Sequence, residues 1–525
     1  MGQPAPTQQG WPDPFAVARA LFADLPRYLC SEEAQAMQHS DMERELETRG
    51  RELMRTLYQA WLDVQAPGEA EGPVVDAAGK ERTRKRTQAR ALETVFGTVM
   101  VQRTGYGAEG EASLHPLDGK LNLPAERYSL ELRRRAAEQA SKSSFDETVE
   151  TLARYTGAHI PKRQVEELVA RAAQDFDAFY ETRRTAPHAA QETGSVLVLT
   201  CDGKGVIMHR DDLRPATRRA AARQAHKLQT RLSKGEKRHR KRTATVAAVY
   251  TVAPYVRTPE QVLAAVARTP PGDAPPPRPR PERKRVWASL EQEAEQVLAE
   301  AFQEALDRDA GRSKTWVAVV DGNESQLGML EALATTHHVE LILILDVFHV
   351  LQYLWQAAHA LEQEGSADLE AWVLERLLAI LRGRASHVAA GMRRSATRRT
   401  LAKSRRAPVD RCAAYLLNYK PYLCYDQYLA AGLPIATGVI EGACRHLVKD
   451  RLGLTGARWR LPGAEAVLRL RALRASNDFD EYWRFHEAHE YASNHQARYA
   501  GRSVPGIELP AVSPPRTSAR LTLLE

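Results

Sequence analysis

Cysteine is scarce in these 525 residues and poorly placed for crosslinking: Cys30, Cys201, Cys412, Cys424 and Cys444 form an odd set without a CxxC pair. That argues against a disulfide framework or a zinc ribbon and fits a reducing cytosol. No apolar run is long enough to span a bilayer, because the nearest, residues 339–355, is broken by Glu340, Asp346 and His349. The opening MGQPAPTQQGW lacks the basic and apolar regions of a secretory signal, and Pro6 stands where a myristoylation motif needs Ser or Thr. No internal repeat is visible. The expectation is a soluble, cytoplasmic protein with no membrane partner.

What is present begins with length, which at roughly 150 residues per domain suggests about three or four units. Lys and Arg number 74 against 66 Asp and Glu, a formal charge of +8 that favours polyanionic partners if the excess is clustered. Residues 1–65 form an N-terminal helical region by apolar spacing such as Leu53, Leu57 and Trp61, and the Pro-, Gly- and charge-rich residues 66–90 form a linker. Residues 91–190 hold a strand pair around Gly97 followed by helices. From Gly194 the pattern turns to strands: Ser195 to Cys201, Thr243 to Ala253, and two runs that end at Asp321 and Asp346. TPPGDAPPPRPRPERKR, from Thr269, is an unstructured excursion, since its prolines exclude helix and central strand. Residues 191–350 are therefore the first part of an α/β core, 351–436 a helical block, 437–485 the helix that closes the core, and 486–525 a tail.

Three strands end on an acid: SVLVLTCDGKG at Asp202, TWVAVVDGN at Asp321 and VELILILDVFH at Asp346. Carboxylates gathered at the end of a buried sheet repel one another and need a cation. Mg²⁺, for which Mn²⁺ can substitute, takes hard oxygen ligands from one or two carboxylates, and two such ions clamp the attacking and leaving oxygens of a phosphoryl displacement. The third acid of such a site is either Asp346 or Glu441 in TGVIEGACRHLVKDR. There Ile440, Ala443, Cys444, Leu447 and Val448 make a buried helical stripe, with Glu441 beside it and Arg445 and Lys449 in line above as phosphate binders.

These stretches, with GEKRHRKRTATVAAVY, VFGTVMVQRTGY, LHPLDGKLNLPAERYS and LRLRALRASNDFDEYW, resemble the ISKra type of bacterial insertion-sequence transposase over roughly residues 90–485. The resemblance implies a DDE transposase with an RNase H-like mixed sheet, flanking helices, a helical insertion before the catalytic glutamate, and an α-rich N-terminal region with a helix-turn-helix. It implies Asp202, Asp321 and Glu441 as catalytic, metal-holding triad, and the double-stranded ends of the element plus target DNA as substrates. A homodimer or higher oligomer would pair the ends in the bacterial nucleoid. DVFH also resembles a DxxH signature, which gives Asp346 and His349 an accessory role, with Asp346 orienting His349 or Lys204. A helix cap is the competing role for Asp346. Two other functions remain open: a domesticated, non-catalytic DNA-binding regulator, and a structure-specific nuclease of the same fold.

Between Arg214 and Arg242 stand twelve Lys or Arg against one acid, Glu236. Arg218, Arg219, Arg223, Lys237, Arg238, Arg240, Lys241 and Arg242 are candidate phosphate contacts. SSFDETVETLARYTGAHIPKRQVEELVARAA, from Ser143, reads as two helices about Gly157, with a capping box of Ser144 and Glu147 and with Pro161 opening the second helix. Lys162, Arg163 and Gln164 would then face base edges, although an ordinary helical hairpin has the same pattern. Arg458 and Trp459 in GARWRLPG are placed to meet DNA, the tryptophan by stacking on a flipped base or else as core. HEAHE, residues 486–490, lacks the spacing of a zinc motif and is expected on a helix surface.

Overall fold

The computed structural model describes residues 13–185, 193–223, 240–269, 277–454 and 456–509. The chain is mixed α/β and divides into two compact units, one of residues up to Asp175 together with those from Glu481 onward, the other Phe176–Asp480.

In the first unit, helices α1 (Ala16–Leu29), α2 (Glu32–Gln35) and α3 (His39–Gln65) precede an antiparallel hairpin of β1 (Arg84–Thr94) and β2 (Gly97–Gly107). Gly97, the first residue of β2 after the two-residue connection, has φ +115°, a backbone region that favours glycine. Leu62 from α3 and Leu92, Val99 and Val101 from the hairpin share a core with Leu117, Leu123 and Ile507. Residues 66–90, expected as a linker, are instead folded: Ala70 bridges Ile507, Asp76 bridges Tyr499, and Val74 is buried. The charges there are internal ties. Asp76 accepts the Ala78 and Lys80 N–H groups and pairs with Arg82.

After α4 (Pro116–Lys120), three helices, α5 (Leu130–Lys142), α6 (Phe145–Thr156) and α7 (Lys162–Ala172), pack on one another. Ser144 caps α6 by accepting the Glu147 N–H, and Gly157 at φ +68° ends it. The helix Phe479–Asn494 occupies the start of the expected tail. His486 is fully buried there rather than on a surface, because Asp175 accepts its Nδ1–H at 2.6 Å and Arg133 lies 2.9 Å from its Nε2.

The second unit opens with α8 (Phe176–Thr185) and is built on a five-stranded sheet: β3 (Val196–Ile207), β4 (Lys241–Val252), β5 (Glu282–Ser289), β6 (Thr315–Val320) and β7 (Leu341–Leu345). The spatial order is β5-β4-β3-β6-β7, with β3 antiparallel to β4, β4 antiparallel to β5, and β6 and β7 parallel to β3. Two expectations change. Strand β3 does not stop at Asp202 but runs on to Ile207, because β4 stays paired with it to Lys241 while β6 pairs only as far as Thr200. The ERKR that closes the proline-rich excursion belongs to the edge strand β5, where Arg285 is buried between Glu300 and Glu304. The last proline, Pro281, precedes the strand, as an edge tolerates.

Between the strands lie α9 (Pro215–Arg223), α10 (Pro259–Ala267), α11 (Ala294–Arg308) and α12 (Glu324–Thr336). The helical block after β7 is α13 (Val347–Leu361), α14 (Ala367–Leu381), α15 (Ala385–Arg398), α16 (Lys403–Asn418) and α17 (Tyr425–Ala430). Its apolar stripes, among them Leu354, Val373, Leu377, Ala389 and Leu416, merge into one core with Val317, Val319 and Ile344 of the sheet. Next come α18 (Gly438–Ala443), a π-helical segment Cys444–Lys449 and α19 (Leu461–Ala475), whose buried Glu465 accepts the Ser289 hydroxyl and the Leu290 N–H against β5.

Candidate active site

The sheet brings the three strand acids side by side. The last β3–β6 pair is Thr200 with Val319, so Asp202 and Asp321 both follow two residues later. The last β6–β7 pair is Val320 with Leu345, and the Asp346 N–H donates to the Val320 carbonyl at 2.8 Å. Neighbouring strands are about 4.8 Å apart, so Asp202, Asp321 and Asp346 stand in a row along one edge. Only β3 continues beyond it, carrying Gly203, Lys204 and Gly205 outward along β4.

Each acid is held differently. Asp202 accepts the Gly203 N–H at 2.6 Å through Oδ1 and the Cys444 thiol at 3.2 Å through Oδ2. Asp321 folds its own turn, its Oδ1 accepting the Asn323 N–H at 2.9 Å. Asp346 is fully buried: Oδ1 accepts the Phe348 N–H at the start of α13, and Oδ2 takes the Thr437 hydroxyl and lies 3.5 Å from His349 Nδ1. Asp346 thus caps the helix and faces His349 at once.

Glu441 stands exposed on α18, with Ile440, Ala443, Cys444, Leu447 and Val448 all buried beneath it. Burial raises its pKa, and the charges of Asp346 and Asp202 raise it further while His349 opposes. The Asp346 carboxylate, 3.5 Å away, raises the pKa of His349 against the effect of burial, and Asp321 and Asp202 add to it electrostatically. The strand carboxylates therefore favour the protonated form of His349. Arg445 and Lys449 lie on a segment that departs from regular α-helix. The π segment breaks the 3.6-residue period on which their expected alignment above Glu441 depended, and Arg445 Nε lies 3.8 Å from Asp450 Oδ1.

Among the described residues no three His, Cys, Asp or Glu side chains are close enough together to hold a metal ion. The donors still suit Mg²⁺ in kind, which takes oxygen from one or two carboxylates and keeps water in its other positions. Asp202 and Asp321, on adjacent strands, are the pair that fits, and the like charges that raise Glu441 are those a cation would relieve.

The sequence reading missed a set of tyrosines. Tyr415 donates to the Asp321 carbonyl at 3.3 Å, Tyr419 to the Gly322 carbonyl at 2.7 Å, and Tyr425 to the Leu345 carbonyl at 2.7 Å. These hydroxyls tie the helical block to the backbone that carries Asp321 and Asp346. The spacing in YLLNYKPYLCYDQY was the available signal.

Of the proposed DNA contacts, Arg218, Arg219, Arg223, Lys241 and Arg458 are exposed, and Lys237 and Arg238 lie outside the described residues. Arg240 is half-buried, and Arg242 is a structural tie, donating to the Leu290 and Asp212 carbonyls. Trp459 is not a stacking platform. It is buried, its Nε1–H donates to the Leu452 carbonyl, and its backbone pairs with β3 at Ile207 and with His209. At the start of α7, Lys162 and Arg163 are exposed and Gln164 half-exposed; Lys162 pairs with Asp146, and the other two bond to Glu167.

Compared with known proteins, the chain matches no family model and no curated protein.

No helix among the described residues is long and apolar enough to cross a membrane.

Proposed function

We propose that the chain is a DDE-type DNA transposase, which binds the double-stranded ends of its own mobile element and joins them to target DNA by Mg²⁺-dependent phosphoryl transfer. The observation that carries this reading is the register of Asp202, Asp321 and Asp346 at one sheet edge, with Glu441 in electrostatic reach of two of them. The strand order, a central β3 with two antiparallel neighbours on one side and two parallel ones on the other, supports an RNase H-like core. The exposed arginines of α9 and the three-helix packing of α5 to α7 support contact with DNA.

In this reading Asp202 and Asp321 would hold the metal as a pair, and Glu441 would be the third acid once DNA binding draws it to them. Bound Mg²⁺ supplies charge stabilisation to the attacking and leaving oxygens. The protein's own groups set the stage: Cys444 fixes Asp202, the Asn323 N–H fixes Asp321 and leaves its Oδ2 free to bind, and Asp346 orients His349. His349, beside Asp346, would offer a hydrogen-bond donor to a phosphate at that edge. The expected result is that Asp202→Asn binds labelled element ends as the unaltered protein does and loses Mg²⁺-dependent nicking. Undiminished nicking rejects the assignment. Joined products with a target plasmid distinguish a transposase from a nuclease, which would only cut.

A further inference from the structure

A cleft of about 890 Å³ opens between the end of β4, α10, the segment from Arg278 to Pro281, the start of α13 and the loop that enters α18. Its lining includes the apolar Val262, Leu351, Ile435 and Val439 and the aromatic Tyr255 and Phe348. Phe348 is 40% exposed although it is a large hydrophobic residue. Arg257, Arg268, Arg278 and Arg280 stand around the cleft, and no carboxylate among the described residues lines it. Arg257 donates to the Leu433 carbonyl at 2.9 Å and to the Tyr255 carbonyl at 3.2 Å, so its charge is fixed in place. Its pKa is lowered first by burial and then by the charge of Arg278, with Tyr255 opposing.

An apolar and aromatic lining with a rim of guanidinium groups suits a flat, weakly polar ring attached to an anion. The chain links the cleft to the acids through adjoining residues. Val347 and Phe348 line it while Asp346 and His349, their neighbours in sequence, face the carboxylates, and Gly438 and Val439 line it one turn before Glu441. The geometry points to a seat for one unpaired nucleotide of the substrate strand, its base against the apolar lining and its phosphate among the arginines. The identity of that strand rests on the proposed function, whereas the seat itself rests on the cleft. It takes the base-stacking role that buried Trp459 does not fill.

The test uses the full chain, a fluorescein-labelled ten-nucleotide oligothymidylate, and anisotropy without divalent ions. Arg278→Ala with Arg280→Ala removes exposed charge from the rim, and Phe348→Ala removes an aromatic ring from the lining; all three positions are solvent-accessible, so folding is retained. Each variant is expected to weaken oligothymidylate binding by roughly tenfold or more. Normal binding by either variant overturns the seat. Thymidine monophosphate should compete only weakly; if it binds as tightly as the oligonucleotide, the cleft is a free-nucleotide site and the strand assignment falls. Asp202→Asn separates the two readings. If that variant still nicks, the proposed function fails while the binding result stands; if it does not nick but the cleft variants bind normally, only the seat fails.

Discussion

At the scale of single residues, Asp346 combines two roles that the sequence offered as alternatives. Its Oδ1 caps α13 and its Oδ2 meets Thr437 and faces His349, all while fully buried. Asparagine can still accept the Phe348 N–H, so Asp346→Asn should keep the cap and cost no more than about 1 kcal/mol in urea unfolding. It removes the charge that raises His349, and a lost orienting partner of this kind lowers activity by about 10- to 100-fold. Nicking at the unaltered rate would reject a positioning role. Asp346→Ala also loses the cap and leaves the Thr437 hydroxyl unpaired, a combined cost of about 2–4 kcal/mol. The strand acids were legible because an apolar run ending in Asp-Gly or Asp-Val is a local pattern. Trp459 and His486 were not, since what buries them is distant in sequence: Trp459 bridges Met208, and His486 bonds Asp175 across 311 positions.

At the scale of elements, the sequence showed the main helical blocks and four of the sheet's five strands, missed α10 and α12 between the strands, and failed where one element's limits depend on another's. Strand β3 outruns its acid because β4 keeps pairing after β6 has stopped, which no local pattern reports. Strand β5 was hidden because Arg285 is charged, and its burial depends on Glu300 and Glu304 of α11. The tyrosines of the helical block make the corresponding functional link. Tyr425→Phe removes a buried hydrogen bond to the Leu345 carbonyl, next to Asp346, and should cost about 1–2 kcal/mol. It should lower nicking more than end binding, as measured on the same preparation; equal losses would mean the tyrosine only stabilises the fold. In the other unit, Lys162→Ala with Arg163→Ala changes exposed residues and should leave stability within about 0.5 kcal/mol. If α7 meets DNA, the same pair weakens duplex binding and flattens its dependence on salt by about one unit of slope per lost phosphate contact. An ordinary helical hairpin would leave both unchanged.

At the scale of the whole molecule, the buried charges of both units make acid destabilising. In the first unit His115 sits 2.8 Å from Gln88 Oε1, and burial, then Arg103, Arg498 and Arg90, push its pKa from 6.5 down to about 4. Burial likewise lowers His495, with Arg498 and Arg90 adding to it and the Leu123 carbonyl opposing. Between pH 6.5 and about 4 the unfolded chain binds the His115 proton and the folded chain does not, so stability is full above 6.5 and falls as pH drops through that window. In the second unit burial would raise Glu304, but Arg285 and Arg308 outweigh it and bring its carboxyl from 4.5 to about 2. That contribution is present above pH 4.5 and is lost as pH falls towards about 2. The two groups therefore act in successive windows, and urea titrations at pH 7, 5 and 3.5 separate them. His115→Gln should lose less stability than the unaltered protein between pH 7 and 5. Glu304→Gln should start lower at pH 7, by up to about 3 kcal/mol because Glu300 still partners Arg285, then run parallel to the unaltered protein down to pH 5 and lose less below it. Equal steepness of His115→Gln and the unaltered protein above pH 5 would show that this histidine is not held neutral by its burial among the arginines.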